Sequence, residues 1–141
     1  MLCGLEIEHH QGLSGHSDAD VATHAVIDAV LGAAGMGDIG ALFPDTDPAY
    51  EGASSLALLG EVMERVVRAG WRVVNVDLVI VAEQPKLAAH RARMAALLAA
   101  ALRVDGEAVG VKATTTEGMG FEGRGEGVSA TAVCLLERAQ V

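Results

Sequence analysis

The sequence predicts an α+β fold: one domain whose single sheet carries helices packed on one side. Three observations lead there. Segments with strand-like and helix-like patterning follow one another in the order β-α-α-β-α-β-β. The chain has 141 residues, a length that suits one domain with a core of its own. It is 51% hydrophobic yet holds only two Phe, one Trp and one Tyr, so the core must be built from Ala, Val, Leu, Ile and five Met. Seventeen glycines exceed what a plain helical bundle uses and suggest several tight backbone approaches.

Residues 2–8 alternate Leu5 and Ile7 with Glu6 and Glu8, which reads as a short strand, and residues 9–15 form a polar loop. Ser17 or Asp18 then caps a helix over residues 19–34, with Val21, Ala25, Val26, Ala29 and Val30 on its apolar face and Gly35 and Gly37 at its end. Residues 38–52 read as a long irregular segment, of the kind that is usually functional. Ser54 or Ser55 starts a second helix with Leu59, Val62, Met63, Val66 and Val67 at helical spacing, stopped by Gly70. Residues 71–82 carry a near-continuous apolar run, the clearest strand in the chain. Pro85 opens a third helix over residues 86–102. Residues 109–113 form a strand, residues 114–127 a Thr- and Gly-rich loop, and residues 127–136 a closing strand.

Ten Lys and Arg against nineteen Asp and Glu give a net charge of −9. That balance argues against nucleic acid as a partner, because phosphate neutralisation needs clustered basic residues. An anionic small molecule stays possible if a metal or backbone amides offset the repulsion. No apolar stretch is long enough for a membrane span, and the best candidate, residues 25–34, is interrupted by Asp28. Nothing at the N-terminus reads as a signal peptide. Cys3 and Cys134 form no spaced framework and read as free thiols, so the expectation is a soluble cytoplasmic protein.

Several residues could carry chemistry. Asp20, His24 and Asp28, spaced i, i+4, i+8, share one face of the first helix. A histidine so placed is either a metal ligand oriented by an acid or a half-buried histidine satisfied by Asp28. His16 and Ser17 precede that helix, where free amides attract phosphate, although plain capping needs the same residues. Asp38, Asp45 and Asp47 put three carboxylates on one segment, and Asx turns account for them as readily as ligation does. Lys112-Ala113-Thr114-Thr115-Thr116-Glu117 offers hydroxyls for a diphosphate and a carboxylate for Mg²⁺, or simply a β-branched strand end with a solvated Glu. The glycines between Gly118 and Gly127 fit neither a P-loop nor a dinucleotide fingerprint.

In combination the motifs say more. His16-Ser17-Asp18-Ala19-Asp20-Val21 with His24-Ala25, Gly37-Asp38-Ile39-Gly40, Phe43-Pro44-Asp45-Thr46-Asp47, Gln84-Pro85-Lys86, the Lys112 to Glu117 run and Gly123-Arg124-Gly125-Glu126-Gly127 together resemble the 2-C-methyl-D-erythritol 2,4-cyclodiphosphate synthase family. The resemblance spans essentially the whole chain in the right order. It implies an enzyme of the non-mevalonate isoprenoid pathway that cyclises 4-diphosphocytidyl-2-C-methyl-D-erythritol 2-phosphate and releases CMP. It implies a homotrimer with active sites between neighbouring subunits. By the same resemblance His24 ligates Zn²⁺ and Glu117 ligates Mg²⁺ or Mn²⁺, while His16 and Thr115 stabilise the transition state with Ser17 beside them. Asp38, Ile39, Gly40, Phe43, Pro44, Asp45, Thr46 and Asp47 face the methylerythritol part. Ala82, Glu83, Gln84, Pro85, Lys86, Leu87 and Ala88 hold the cytidine and its phosphates with Thr114 and Thr115. Thr116, Phe121 and Arg124 complete the substrate-binding set.

One departure is visible. Family members begin with a strand carrying Gly-x-Asp-x-His, whose Asp and His are the other two zinc ligands. Here Leu2-Cys3-Gly4-Leu5-Glu6-Ile7 matches the strand that follows it. The expectation is therefore one family domain over residues 1–141 that starts inside the fold, with an incomplete zinc site. His9 and His10 read as polar loop residues. The rival reading is a non-catalytic trimer that binds cytidine nucleotide through residues 82–88 with Thr114 and Thr115.

Overall fold

The apolar run after Gly70 becomes β1 (Trp71–Val81), the centre of a three-stranded sheet. The structure, a computed structural model, describes residues 1–7 and 20–140. β1 runs parallel to β2 (Val109–Thr114), with Val76 opposite Val109 and Val81 opposite Thr114. On its other edge it runs antiparallel to β3 (Ser129–Arg138), with Trp71 opposite Arg138 and Val81 opposite Ser129. The pairing shifts register between Val73 and Asn75. An extra residue there restores the inward face, so Val73, Val76, Leu78 and Ile80 are all buried although the first two are three apart.

α1 (Val21–Ala34) lies against β3, α3 (Ser55–Arg68) packs on α1, β1 and α4 (Arg91–Leu102), and α4 covers β2. The helices thus occupy one side of the sheet, as the sequence predicts. The opposite side keeps Asp77 and Lys112, joined at 2.8 Å, beside Val133 and Leu135, which are 69% and 55% exposed. Among the described residues no helix is long and apolar enough to cross a membrane.

Local chemistry explains the elements. Ser54 caps α3 through Ala57 N, and Leu58, Leu59, Val62, Met63 and Val66 form its buried stripe. Val67, expected on that stripe, is exposed. α1 ends at Gly35 in the left-handed conformation, its N–H returned to Leu31 O and Gly32 O. Its buried face holds Ala22, Val26, Ile27, Val30 and Leu31 rather than Val21, Ala25 and Ala29. The helix is apolar nearly all round, so the bulkier Ile27 and Leu31 set its rotation.

Four expectations need correction. Among the described residues Leu2 and Leu5 pair with each other, through two 2.9 Å backbone bonds, so residues 2–5 make a tight turn and not a strand. Cys3 and Gly4 both have positive φ, which ends any extended run, and a β-carbon at Gly4 would also overlap Leu56. The cap of α1 is Asp20, whose carboxylate accepts from Thr23 N at 2.9 Å; Ser17 and Asp18 lie outside the described residues. Residues 38–52 are not wholly irregular: α2 (Ile39–Leu42) and a 3₁₀ turn (Pro48–Tyr50) interrupt them. Finally, α4 begins at Arg91 and not near Pro85. Ala82 N still bonds to Thr114 O beyond the last strand residue, and Leu87 is buried, so the chain is held to the sheet before it can coil.

Candidate active site

Two groups of predicted residues are assembled, each by its own part of the fold. The first lies at the Val81 end of the sheet. Parallel pairing sets Val81 beside Thr114, Ala82 N donates to Thr114 O at 3.0 Å, and Gly118 N donates to Glu83 Oε1 at 2.6 Å. These bonds bring residues 82–88 against residues 114–118. Ala82 and Leu87 are buried and anchor the segment, while Gln84, Lys86 and Ala88 face solvent. Thr114, Thr115 and Glu117 are exposed as well, and Thr116 is half-buried. Glu117 N donates to Thr115 Oγ1 at 3.2 Å, and Thr116 Oγ1 donates to Met119 O.

Glu117 has φ +55°, an uncommon conformation for a residue with a side chain. It costs about 1–2 kcal/mol where nothing compensates. Such strain is found preferentially where a side chain must be aimed. Beyond it, α5 (Gly120–Gly123) carries the exposed Phe121. Arg124 donates from Nε and Nη2 to both oxygens of Glu126, at 2.8 and 3.1 Å. These hydrogen bonds hold the Glu126 carboxyl below its usual range and raise the Arg124 guanidinium further.

The second group is built on α1. Asp20 is fully buried and, among the described residues, accepts hydrogen bonds from Cys3 N at 2.8 Å, Gly4 N at 2.6 Å, Thr23 N at 2.9 Å and Thr23 Oγ1 at 2.8 Å. One turn on, His24 Nε2 lies 2.8 Å from Ser55 Oγ, whose residue is wholly buried at the start of α3. Another turn on, Asp28 accepts from Ile39 N at 2.8 Å, and so is the partner of α2 rather than of His24. Asp38 caps α2 through Ala41 N and Asp47 caps the 3₁₀ turn through Ala49 N, which are the turn-forming roles their residue type suggests. Phe43 points into the core at 6% exposure, edge-on to Tyr50 with centroids 5.1 Å apart, and the Arg65 guanidinium lies 5.9 Å from its ring centre. Pro44, Asp45 and Thr46 are exposed.

Sequence reasoning missed the Ser55–His24 contact, the Glu83 tie to Gly118 and the Tyr50–Arg65 support of Phe43. The paired serines at 54 and 55 were a signal, but one that reads equally well as a helix start. His16 and Ser17, with His9 and His10, lie outside the described residues. Metal chemistry is only partly provided for. Among the described residues no three of His, Cys, Asp and Glu gather where they could hold an ion. The imidazole of His24 suits zinc and the carboxylate of Glu117 suits magnesium, but each stands on its own element, α1 for one and the turn after β2 for the other. A thiol nucleophile is disfavoured. Burial pushes Cys134 up to about 11, and burial with the neighbouring Asp20 carboxylate raises Cys3 further still.

A groove of about 610 Å³ opens at the far end of the sheet, lined by Met63, Val67, Arg72, Leu102, Arg103 and Glu137. Arg72 and Glu137 pair beside it. β1 separates this groove from the Thr114 cluster by most of its 11 residues, roughly 25 Å. None of the predicted site residues lines it.

Comparisons with known proteins bear on these two clusters. The profile of the YgbB family matches residues 1–137. The 2-C-methyl-D-erythritol 2,4-cyclodiphosphate synthase of Syntrophomonas wolfei is 56% identical over 139 residues, covering 99% of this chain and 88% of that protein. The Bordetella avium protein of the same name is 56% identical over 138 residues, covering 98% and 85%. Among solved structures, a synthase of this name in a CDP-bound form is 40% identical with TM-score 0.88, covering 97% of this chain and 89% of that one. The bifunctional IspDF protein of Campylobacter jejuni is 41% identical with TM-score 0.93, and this chain, matched over 98% of its length, spans 37% of that larger protein.

Proposed function

The chain belongs to the YgbB family, and from that premise we propose that it is a cyclodiphosphate synthase acting on 4-diphosphocytidyl-2-C-methyl-D-erythritol 2-phosphate. The observation that carries the reading is the joining of residues 82–88 to residues 114–118 at one end of the sheet, through Ala82, Glu83, Thr114 and Gly118. The CDP-bound relative supports a cytidine nucleotide as the ligand of that cluster. In this reading residues 1–141 are one synthase domain.

The chemistry is an internal phosphoryl transfer. An oxygen of the 2-phosphate forms a bond to the β-phosphorus of the CDP group. The bond from that phosphorus to the oxygen bridging it to the α-phosphorus breaks, and CMP leaves with the bridging oxygen and its electron pair. Both reacting groups are anionic, so the protein's work is alignment and charge neutralisation. A chain of net charge −9 offers few cations for this. Exposed hydroxyls at Thr114 and Thr115 and the Lys86 ammonium are the groups available, with His16 and Ser17 ahead of α1. Thr115 and His16 are assigned to the transition state. Asp38 and the residues up to Asp47 orient the methylerythritol part, while the half-buried Thr116 and the exposed Phe121 and Arg124 close the far side. Divalent cations go with the reading: His24 would hold zinc and Glu117 would hold Mg²⁺ or Mn²⁺, and these would supply positive charge toward the phosphates. A reducing cytoplasm is the compartment it implies, where Cys3 and Cys134 stay free.

The two clusters belong together across a subunit boundary. The uncovered side of the sheet leaves Val133 and Leu135 in water, and a homotrimer buries three such faces against one another. The α1 cluster of one copy then meets the Thr114 cluster of its neighbour. Mixing two inactive variants tests this. Asp38→Ala and Thr115→Ala, unfolded together and refolded as mixed trimers, are expected to recover roughly a quarter of the wild-type rate of CMP release, since one interface in four pairs two intact halves at random. No recovery, or a light-scattering mass equal to the single 14.5 kDa chain, would overturn the interfacial site.

A further inference from the structure

We infer that Asp28 is a positioning residue for the substrate, acting through the backbone of the segment that begins at Asp38; the inference rests on the cyclodiphosphate synthase reading. Asp28 lies on the exposed side of α1, where nothing about helix stability requires a carboxylate. Its Oδ1 accepts from Ile39 N at 2.8 Å, eleven residues away and on another element. A carboxylate acceptor makes this a charge-assisted bond, stronger than its neutral counterpart.

What the bond fixes is the peptide joining Asp38 to Ile39. α2 is a single turn of four residues, too short to hold itself. Two carboxylates hold its start from different directions: Asp38 bonds to Ala41 N, and Asp28 bonds to Ile39 N. Asp38 is extended, with φ −139° and ψ 174°. Rotation about that ψ would swing the Ile39 amide and Gly40 relative to the Asp38 side chain. Among the described residues, Asp28 is the group outside the segment whose hydrogen bond opposes this rotation. The other fixed point of the segment is Phe43, locked in the core under Tyr50 and Arg65. Asp28 at one end and Phe43 at the other therefore define the path of residues 38–43, and Asp28 does so without being in the binding set itself.

Asp28→Ala removes the acceptor, and Asp28→Asn keeps an oxygen at the same place while removing the charge. The Ala variant is expected to raise KM about tenfold with kcat changed by less than about threefold, as for a loss of binding geometry. Its Tm is expected to stay within about 3 °C of wild type, because the residue is exposed. The Asn variant is expected to return KM to within about twofold of wild type. Amide hydrogen exchange gives a second readout, independent of turnover: the Ile39 N–H exchanges at least tenfold faster in the Ala variant while the core of α1 is unchanged. An Ala variant with wild-type KM, or an Asn variant as impaired as the Ala variant, overturns the inference while leaving the enzymatic reading intact. A wild-type protein that releases no CMP is the separate failure, that of the reading itself.

Discussion

Replacing Asp20 with alanine is expected to lower stability by about 3–5 kcal/mol, the cost typical of emptying a buried, hydrogen-bonded carboxylate position. Among the described residues four donors converge on that side chain, and two of them, Cys3 N and Gly4 N, belong to the tight turn of residues 2–5. In the variant the buried Cys3 amide has neither the carboxylate nor water, the half-buried Gly4 amide loses its carboxylate, and α1 loses its cap. A domain of this size has about 5–15 kcal/mol in all, so the change removes a large part of it. Urea unfolding at fixed protein concentration measures it. Asp20→Asn keeps one acceptor oxygen and should lose less than the alanine variant. A loss below about 1 kcal/mol for Asp20→Ala would show that Asp20 caps α1 like a surface residue and does not hold the amino-terminal turn.

Glu117→Gly separates stability from catalysis. The left-handed backbone at φ +55° is unfavourable with a side chain and easy for glycine. Glycine in turn adds freedom to the unfolded chain, so the two effects nearly cancel and stability should stay within about 1 kcal/mol of wild type. Activity should not stay. With the carboxylate gone, CMP release at a fixed Mg²⁺ concentration is expected to drop on the order of a hundredfold, and the Mg²⁺ concentration for half-maximal rate to rise. Glu117→Ala should lose activity equally while staying strained. A glycine variant with wild-type Mg²⁺ dependence would remove Glu117 from the site and leave its backbone conformation without a functional account.

Much of the architecture was legible because it rests on period and punctuation. The apolar run of β1, the stripe of α3 and the Gly35 stop each state their structure locally. What failed were features that depend on a distant partner. Leu5 and Ile7 alternate like a strand, but two positive-φ residues and the reach of Asp20 make a turn of the chain before them. Pro85 signals a helix start, yet the tie of Ala82 to Thr114 and the burial of Leu87 delay it to Arg91.

The site divides along the same line. Its motifs were readable as residue types in order, and the parallel pairing of β1 with β2 places residues 82–88 beside Thr114 as the motif order suggests. The contacts that orient it were not readable. Asp28 sits one turn from His24 and invites that pairing, but geometry gives it to Ile39 and gives His24 to Ser55. The ring of Phe43 is held in the core beside Tyr50 and Arg65, contacts with residues its motif does not name.

The most direct test of the function is ³¹P NMR of the 141-residue protein mixed with 4-diphosphocytidyl-2-C-methyl-D-erythritol 2-phosphate, Zn²⁺ and Mg²⁺. The expected result is loss of the substrate signals with equal gain of CMP and of a cyclic diphosphate. Unchanged substrate, in a sample where calorimetry still detects CMP binding, would contradict the account and leave a cytidine-nucleotide-binding protein in its place.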